Sequence, residues 1–199
     1  LKYGVTGDYV LGLTVVLADG RILKTGGKPI KDVTGYDLNG LFTGSEGTLG
    51  IVTEVLLRLI TKPRHVKTVL AEFTSLDHAS RTVTAILAAG IVPASLELMD
   101  QTAVRCVEEA MHLGLNTTVE AALLIETDGA DPRSVQEEIE ACSRICLESG
   151  ALNVNLAQSE AERARLWKAR RSMSPALARK APSKLGEDIT VPRSAIPEV

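Results

Sequence analysis

Residues 44–60, Gly-Ser-Glu-Gly-Thr-Leu-Gly-Ile-Val-Thr-Glu-Val-Leu-Leu-Arg-Leu-Ile, join a glycine-rich loop to a long apolar strand pattern. Apolar residues fall on both faces of that strand. One face carries Ile51, Val55, Leu57 and Leu59, and the other carries Val52 and Leu56. Apolar residues on both faces indicate a strand that is covered on both sides. We therefore predict a central strand over residues 49–60, entered through a loop of bare backbone.

The segment before this loop has a strand-and-turn pattern. Residues 9–17 alternate apolar and polar side chains, and Asp19-Gly20 then leads into residues 21–24. An Asp-Gly pair between two such runs predicts a β-hairpin with a two-residue turn. Most of the 16 glycines lie between Gly4 and Gly50, which is typical of tight turns or of backbone that approaches a ligand closely.

After Pro63 the pattern changes to strands that alternate with amphipathic helices. Each predicted helix has an N-capping residue before it: Ser75, Asp100, Asp131 and Ser159. The helices are predicted over residues 76–89, 101–113 and 132–149 and from Ser159 to about Lys180, and the strands over residues 66–73, 95–99, 118–127, 153–156 and 188–191. This order predicts an α+β layer, one sheet with helices packed on one face.

Composition excludes several classes of protein. The formal net charge is only −3, and basic residues do not cluster with aromatic ones, so we expect no nucleic-acid partner. The apolar runs are too short to cross a bilayer, so we expect no membrane span. The histidines, His65, His78 and His112, have no metal-ligand spacing, so we expect no metal site.

Three cysteines lie on apolar faces of predicted helices: Cys106, Cys142 and Cys146. An odd number, with two of them at i and i+4 on one helix, is poor disulfide geometry and favours buried thiols in a reducing, cytoplasmic location. The first residue is Leu1 and no charged, apolar leader follows it. We therefore expect no signal peptide, and we expect the chain to be part of a longer one.

Two glycine-rich loops precede strands, and they can be interpreted in two ways. Residues 44–50 and residues 3–8 both expose backbone N–H groups that can converge on an anionic or planar ligand. The first loop has the order G-x-x-G-x-x-G and enters a strand, whereas the familiar nucleotide motifs differ in spacing and open a helix. On spacing alone, a purely structural turn is as good an interpretation as a ligand cradle.

The fourth predicted helix carries a polar face. Arg163, Trp167, Arg170 and Ser174 share that face, and Arg170 with Ser174 can clamp a carboxylate. The alternative is a solvated charged surface, because the segment is rich in arginine and lysine. Arg171 lies about 100° further round the helix and so faces elsewhere.

Short motifs follow one another in a fixed order: Lys2-Tyr3-Gly4, then residues 8–13, 18–20, 25–27, 31–38, 44–50, 166–171 and 187–193. Together they resemble the FAD-linked oxidases of the vanillyl-alcohol oxidase superfamily, within it the branch that oxidises glycolate or D-lactate. The resemblance implies that residues 1–63 are the C-terminal half of an FAD-binding domain. It implies that residues 64–199 are the N-terminal part of a ferredoxin-like α+β cap domain with an antiparallel sheet.

The resemblance also implies an activity, which is hydride transfer from a 2-hydroxy acid to FAD. It assigns Arg170, with Ser174, to the substrate carboxylate, and it assigns a set of residues to FAD: Gly4, Thr6, Asp8, Gly44, Glu46, Gly47, Gly50, Ile51 and Val52. Gly7 stands where the family usually has an arginine. The pyrophosphate loop is expected before Leu1 and the catalytic base after Val199, so no catalytic residue is expected in this chain.

The implied partners are the 2-hydroxy acid, other oxidase subunits or an electron acceptor, and a second copy of the chain. By itself the chain is expected to bind FAD weakly and to be inactive. The rival hypothesis is a non-catalytic α+β module that binds a small metabolite or contacts another subunit.

Overall fold

The computed structural model describes residues 1–181 and 183–199, and the chain divides into two compact units. The small unit is Tyr3–Lys62, and the large unit is Leu1–Lys2 together with Pro63–Val199. Among the residues described, no helix is both long and apolar enough to cross a membrane.

The small unit is a three-stranded antiparallel sheet with one short helix. Its elements are β1 (Val10–Val16), β2 (Ile22–Gly26), α1 (Leu38–Phe42) and β3 (Ile51–Leu57). The strand order is β2-β1-β3, so β1 is the central strand. Its core consists of Leu13 and Val15 from β1 packed against Phe42 of α1.

The prediction of a central strand over residues 49–60 is wrong. β3 pairs with β1 alone and lies at the edge of the sheet, and all seven of its residues are exposed. A helix of five residues is only about 7.5 Å long and cannot cover a whole three-stranded sheet. The small unit therefore leaves the apolar residues on both faces of β3 uncovered.

The predicted β-hairpin is confirmed, but its turn has three residues instead of two. Leu17 N–H donates to the Arg21 carbonyl at 2.9 Å, and Gly20 N–H donates to the Leu17 carbonyl at 2.9 Å. The loop therefore consists of Ala18, Asp19 and Gly20. Gly20 has φ +82°, the left-handed conformation that the last residue of such a loop needs.

The large unit is a four-stranded antiparallel sheet with helices, which confirms the α+β prediction. Its strands are β4 (His65–Phe73), β5 (Ser95–Asp100), β6 (Ala121–Gly129) and β7 (Asn153–Leu156), in the order β5-β6-β4-β7. Its helices are α2 (Leu76–Ala88), α3 (Gln101–Met111), α4 (Pro132–Glu148), α5 (Glu160–Arg171) and α6 (Met173–Leu177).

Helices cover both faces of this sheet, so the predicted one-sided layer is wrong. Alternate residues of β4 and β6 belong to two separate cores, because neighbouring side chains on a strand point to opposite faces. Val69 and Leu123 pack with α2 and α4, whereas Leu70 and Leu124 pack with α3 and α5. The chain thus has a three-layer unit in which polar side chains between a helix and the sheet can be partly buried.

The predicted N-caps are confirmed, and they explain why the helix starts were predictable. The side chains of Ser75, Asp100, Asp131 and Ser159 each accept a hydrogen bond from the backbone N–H three residues later. The predicted strand at residues 188–191 is wrong, because these residues have no regular secondary structure.

The fourth predicted helix ends earlier than expected. α5 ends at Arg171, and the shorter α6 begins after Ser172. Pro175 has no N–H to donate to the carbonyl of Arg171, and its ring would clash with that carbonyl in a continuous helix. The break therefore places Arg170 and Ser174 on two different helices.

Candidate functional site

Two cavities in the small unit share a wall. One has a volume of about 830 Å³, and polar side chains, among them Asp8, Asp37 and Asn39, contribute to its lining. The other has a volume of about 420 Å³ and a mostly apolar lining. The shared wall consists of Thr6, Val10, Thr43 and Gly44. Together these cavities can receive a ligand that has both a polar part and an apolar part.

Eight of the nine residues that the resemblance assigns to FAD line one or both cavities. The polar cavity is lined by Thr6, Asp8 and Gly44, and the apolar one by Thr6, Gly44, Glu46, Gly47, Gly50, Ile51 and Val52. Gly4 lines neither of them. The structure therefore brings the two glycine-rich loops to neighbouring cavities, as their positions before strands led us to expect.

The loop over residues 44–50 exposes backbone because of its conformation. Gly44 has φ +84° and Gly47 has φ +78°, while Glu46 adopts the left-handed region with φ 51°. A Cβ added at Gly44 would meet nothing within 4 Å, and one at Gly47 would meet only Ile51 Cδ1 at 3.9 Å. These two glycines are therefore needed for their dihedral angles and present bare backbone to the cavities.

Gly50 is bare for a different reason. A Cβ there would lie 2.6 Å from Val15 Cγ1 and 2.9 Å from the carbonyl oxygen of Val16. Gly50 thus allows the start of β3 to approach β1 closely. Gly50 therefore lines the apolar cavity as a result of the close packing of β3 against β1.

The loop over residues 3–8 is held by its own aspartate. The Asp8 carboxylate accepts the Val5 N–H at 2.7 Å, and Asp8 N–H donates to the Val5 carbonyl at 3.0 Å. Gly4, with φ +72°, leaves room for that carboxylate. Asp8 and Gly4 therefore fix the conformation of the loop, and in that conformation Thr6 lines both cavities.

One buried polar atom in the shared wall has no hydrogen-bond partner in the part of the chain that the structure describes. The Thr43 hydroxyl oxygen is buried and makes no hydrogen bond to any described residue. An unpartnered buried hydroxyl costs free energy, so the Thr43 hydroxyl is available to hydrogen-bond a group that enters either cavity.

In the large unit, Arg170 is held by an acid that the sequence did not indicate. Its Nε donates to Glu97 Oε2 at 2.7 Å, which joins α5 to β5. Its Nη1 lies 3.7 Å from Met173 Sδ, a weak acceptor. The guanidinium is therefore partly engaged, and we find it 38% exposed as a side chain.

The neighbouring polar side chains of α5 are more fully bonded. Glu126 Oε2 on β6 accepts the Thr68 hydroxyl at 2.6 Å and the Trp167 indole N–H at 2.5 Å, and it lies 3.5 Å from Arg163 Nη1. Arg163 also makes two hydrogen bonds to Glu160, at 2.6 and 3.1 Å. This hydrogen-bonded ion pair raises the pKa of Arg163 above its usual value.

Ser174 has a different partner from Arg170. Its hydroxyl oxygen accepts a hydrogen bond from Lys184 Nζ at 2.5 Å. The predicted clamp of Arg170 with Ser174 on one helix face is thus replaced by two side chains on separate helices. Sequence reasoning missed Glu97 and Lys184, because 73 residues separate Glu97 from Arg170 and nothing local marks either residue.

The three cysteines are free and buried, as predicted. Burial raises the pKa of the Cys142 thiol to about 11 and that of Cys146 to about 12. Cys142 and Cys146 are therefore unreactive apolar groups in the core beneath α4, whereas Cys106 is buried in a separate cluster that α3 forms with α5 and α6.

Comparison with known proteins defines the class of this chain. Residues 62–199 match the family described as FAD linked oxidases, C-terminal domain. The match covers more than half of the chain, and the chain belongs to this family. FAD is the cofactor of these oxidases.

Individual relatives agree with this family. The chain is 52% identical over 196 residues to glycolate oxidase subunit GlcD of Bacillus subtilis, covering 98% of this chain and 42% of that protein. It is 35% identical over 204 residues to a probable mitochondrial D-lactate dehydrogenase of Danio rerio, covering 100% of this chain and 40% of that protein. The chain therefore spans about two fifths of the length of these curated relatives.

A solved structure supports the fold. Alkyldihydroxyacetonephosphate synthase superposes with a TM-score of 0.64 at 20% identity, covering 90% of this chain and 35% of the other. At this identity the likeness concerns the fold alone.

The residues around the two cavities fit the uncharged parts of FAD chemically. A flat, largely apolar ring with hydroxyl-bearing substituents needs apolar walls next to polar ones, and the small unit provides both. The three aspartates that line the polar cavity, Asp8, Asp32 and Asp37, disfavour the anionic pyrophosphate there. Bare backbone at Gly44 and Gly47 allows a planar group to approach closely. The unpartnered Thr43 hydroxyl adds a hydrogen-bonding group to the same wall.

Proposed function

We propose that this chain is part of an FAD-dependent oxidoreductase that oxidises a 2-hydroxy acid of the glycolate or D-lactate type. The observation that carries the proposal is the 52% identity to a glycolate oxidase subunit along 98% of the chain. In this proposal, residues 1–63 are the C-terminal half of the FAD-binding domain and residues 64–199 the N-terminal part of the cap domain. When bound, FAD supplies the hydride acceptor.

The small unit would hold FAD mainly through backbone. Gly44 and Gly47 would contribute main-chain contacts, and Thr6 would lie on the wall that both parts of the cofactor approach. Ile51 and Val52 would contact an apolar part of the cofactor, since the side chains of β3 are exposed next to the apolar cavity. Excluding water from this wall would strengthen the polar contacts made beside it.

The large unit would bind the substrate carboxylate. Arg170 is the proposed carboxylate-binding residue, because a guanidinium can donate two hydrogen bonds to one carboxylate. Ser174 is the second proposed substrate-binding residue, through a hydroxyl that accepts a hydrogen bond from Lys184. No residue of this chain is assigned to the removal of the hydroxyl proton. Other oxidase subunits are proposed partners, because the B. subtilis relative is a glycolate oxidase subunit.

The first experiment tests flavin binding with a matched pair of glycine variants in the full enzyme. Gly47→Val places a β-branched residue at φ +78° beside the cavity, and Gly20→Val does the same at φ +82° in a hairpin turn that lines neither cavity. Both variants carry a similar backbone strain of about 1–2 kcal/mol. We expect Gly47→Val to lose most of its bound flavin, measured by visible absorbance, and Gly20→Val to retain it.

Equal flavin content in the two variants would remove the loop over residues 44–50 from the cofactor site. The absence of any flavin spectrum in the purified full-length protein would favour the rival hypothesis of a non-catalytic module. Steady-state oxidation of glycolate and D-lactate by the flavin-containing enzyme then tests the substrate class directly. Failure to oxidise any 2-hydroxy acid would contradict the proposal.

A further inference from the structure

The ion pair between Glu97 and Arg170 leaves more of the guanidinium N–H groups without a strong acceptor than the contacts of Arg163 do, among the residues that the structure describes. It joins side chains that are 31% and 38% exposed, and one hydrogen bond of 2.7 Å connects Glu97 Oε2 to Arg170 Nε. Arg163, two turns earlier on the same face of α5, makes two hydrogen bonds to Glu160 and lies against a Glu126 carboxylate that already accepts two other hydrogen bonds. The Arg163 cluster therefore anchors the helix, whereas Arg170 keeps hydrogen-bonding capacity.

The geometry of the pair leaves one side of the guanidinium for another ligand. Glu97 accepts from Nε, and among the residues that the structure describes Nη1 donates only to the sulfur of Met173, at 3.7 Å. A carboxylate is a far stronger acceptor than a thioether, so an incoming carboxylate displaces that contact easily. The bond at Nε meanwhile fixes the plane of the guanidinium, since the fork of Arg is rigid.

Glu97 also changes the charge of the site. It places one negative charge directly beside the positive charge of Arg170. A ligand with one carboxylate still gains two hydrogen bonds from the guanidinium. A ligand with a second carboxylate near Glu97 meets like charge, which disfavours it.

We infer that Glu97 is a positioning and selectivity residue of the carboxylate site. It orients the guanidinium of Arg170 and selects 2-hydroxy monocarboxylates over 2-hydroxy dicarboxylates. This inference rests on the proposed function, in which Arg170 binds the substrate carboxylate.

The test compares Glu97→Ala and Glu97→Gln in the flavin-containing full enzyme, with glycolate and malate as substrates. Glu97→Ala should raise the KM for glycolate about tenfold with a smaller change in kcat, because a ground-state binding group loses its orientation. Glu97→Gln keeps a hydrogen-bond acceptor without the charge, so it should recover the KM to within about threefold. It should also raise the ratio of kcat/KM for malate to that for glycolate about tenfold.

Glu109→Gln is the matched control, because Glu109 forms an ion pair with Lys180 in which Nζ and Oε2 are 2.7 Å apart, and neither residue is assigned to the proposed site. It should leave both KM and the substrate ratio unchanged. If both Glu97 variants behave like Glu109→Gln, the inference is wrong. Glu97→Gln preserves the size of the side chain, so it decides the question even if Glu97→Ala fails to fold.

Arg170→Ala separates this inference from the proposed function. A large rise in the glycolate KM for Arg170→Ala, together with silent Glu97 variants, overturns the role of Glu97 and leaves the carboxylate site in place. An unchanged KM for Arg170→Ala overturns both, because Arg170 then does not bind the substrate. A raised glycolate KM in both the Arg170 and the Glu97 variants, with non-additive effects on KM in the double variant, supports the inference.

Discussion

In the small unit every residue of β3 is exposed, whereas in the large unit the central strands β4 and β6 are buried over most of their length. The small unit has three buried apolar residues at its core, Leu13, Val15 and Phe42. The large unit packs helices on both faces of its sheet and has a hydrophobic core on each face. The large unit is therefore stabilised by its own packing, while the small unit leaves apolar surface and bare backbone available for binding.

The largest effect is expected from truncating the large core. Phe73 is fully buried, and Phe73→Ala should destabilise the large unit by about 3–5 kcal/mol. Leu59→Ala is the counterpart, because Leu59 is 86% exposed, and it should change stability by less than about 0.5 kcal/mol. Amide hydrogen exchange of β4 and β1 measures each unit separately. Comparable losses in the two variants would remove the contrast between the units.

A smaller effect is expected at Gly50, and it is confined to the small unit. Gly50→Ala forces the new methyl group against Val15 and the backbone of Val16, at an expected cost of about 1–3 kcal/mol. Exchange of β1 amides should accelerate while β4 amides stay protected. If Gly50→Ala leaves β1 protection unchanged, the close approach of β3 to β1 is not needed for stability.

The smallest effect is expected at Glu108, which closes the end of α3. Its carboxylate accepts the N–H groups of Leu113, Gly114 and Leu115 at 3.0, 3.1 and 2.8 Å. Burial raises the pKa of Glu108, but these three bonds outweigh burial, so the pKa lies below its usual value. Glu108→Gln should cost the large unit about 1 kcal/mol.

The sign of the pH dependence follows from that lowered pKa. The carboxylate binds protons less readily in the folded state than in the unfolded state, so its stabilisation is fully present above the unfolded value of about 4.5. It is lost as the pH falls through the folded pKa. Thermal unfolding of wild type and Glu108→Gln should therefore differ at pH 7 and converge in acid; a constant difference at all pH values would exclude this role.

Local patterns predicted the helices well because their signals are local. Asp100 and Asp131 act on N–H groups only three residues away, so the sequence contains the whole interaction. The status of β3 as an edge strand was not predictable, since strand order depends on pairing between distant segments. Glu97 was missed for the same reason, as its contact with Arg170 exists only after β5 and α5 have packed.

Part of the candidate site could be predicted and part could not. The glycines of the loop over residues 44–50 were identified by their spacing, but spacing does not distinguish Gly44, which needs its dihedral angle, from Gly50, which needs its small size. The separation of Arg170 from Ser174 required knowing where the helix ends. Pro175 was a visible signal, but its effect extends backwards to the carbonyl four residues earlier.

The early end of α5 has a consequence for its charges. Lys168, Arg170 and Arg171 lie in the last turn of the helix, and Glu160 and Glu162 lie in the first. The aligned peptide dipoles make the C-terminal end negative and the N-terminal end positive, so all five charges stabilise the helix by about 0.3–1 kcal/mol each where exposed. Replacing Arg171 therefore weakens the helix that carries Arg170 even if Arg171 never meets a substrate. Kinetic effects of Arg171→Ala must be compared with its effect on helix stability before a binding role is assigned.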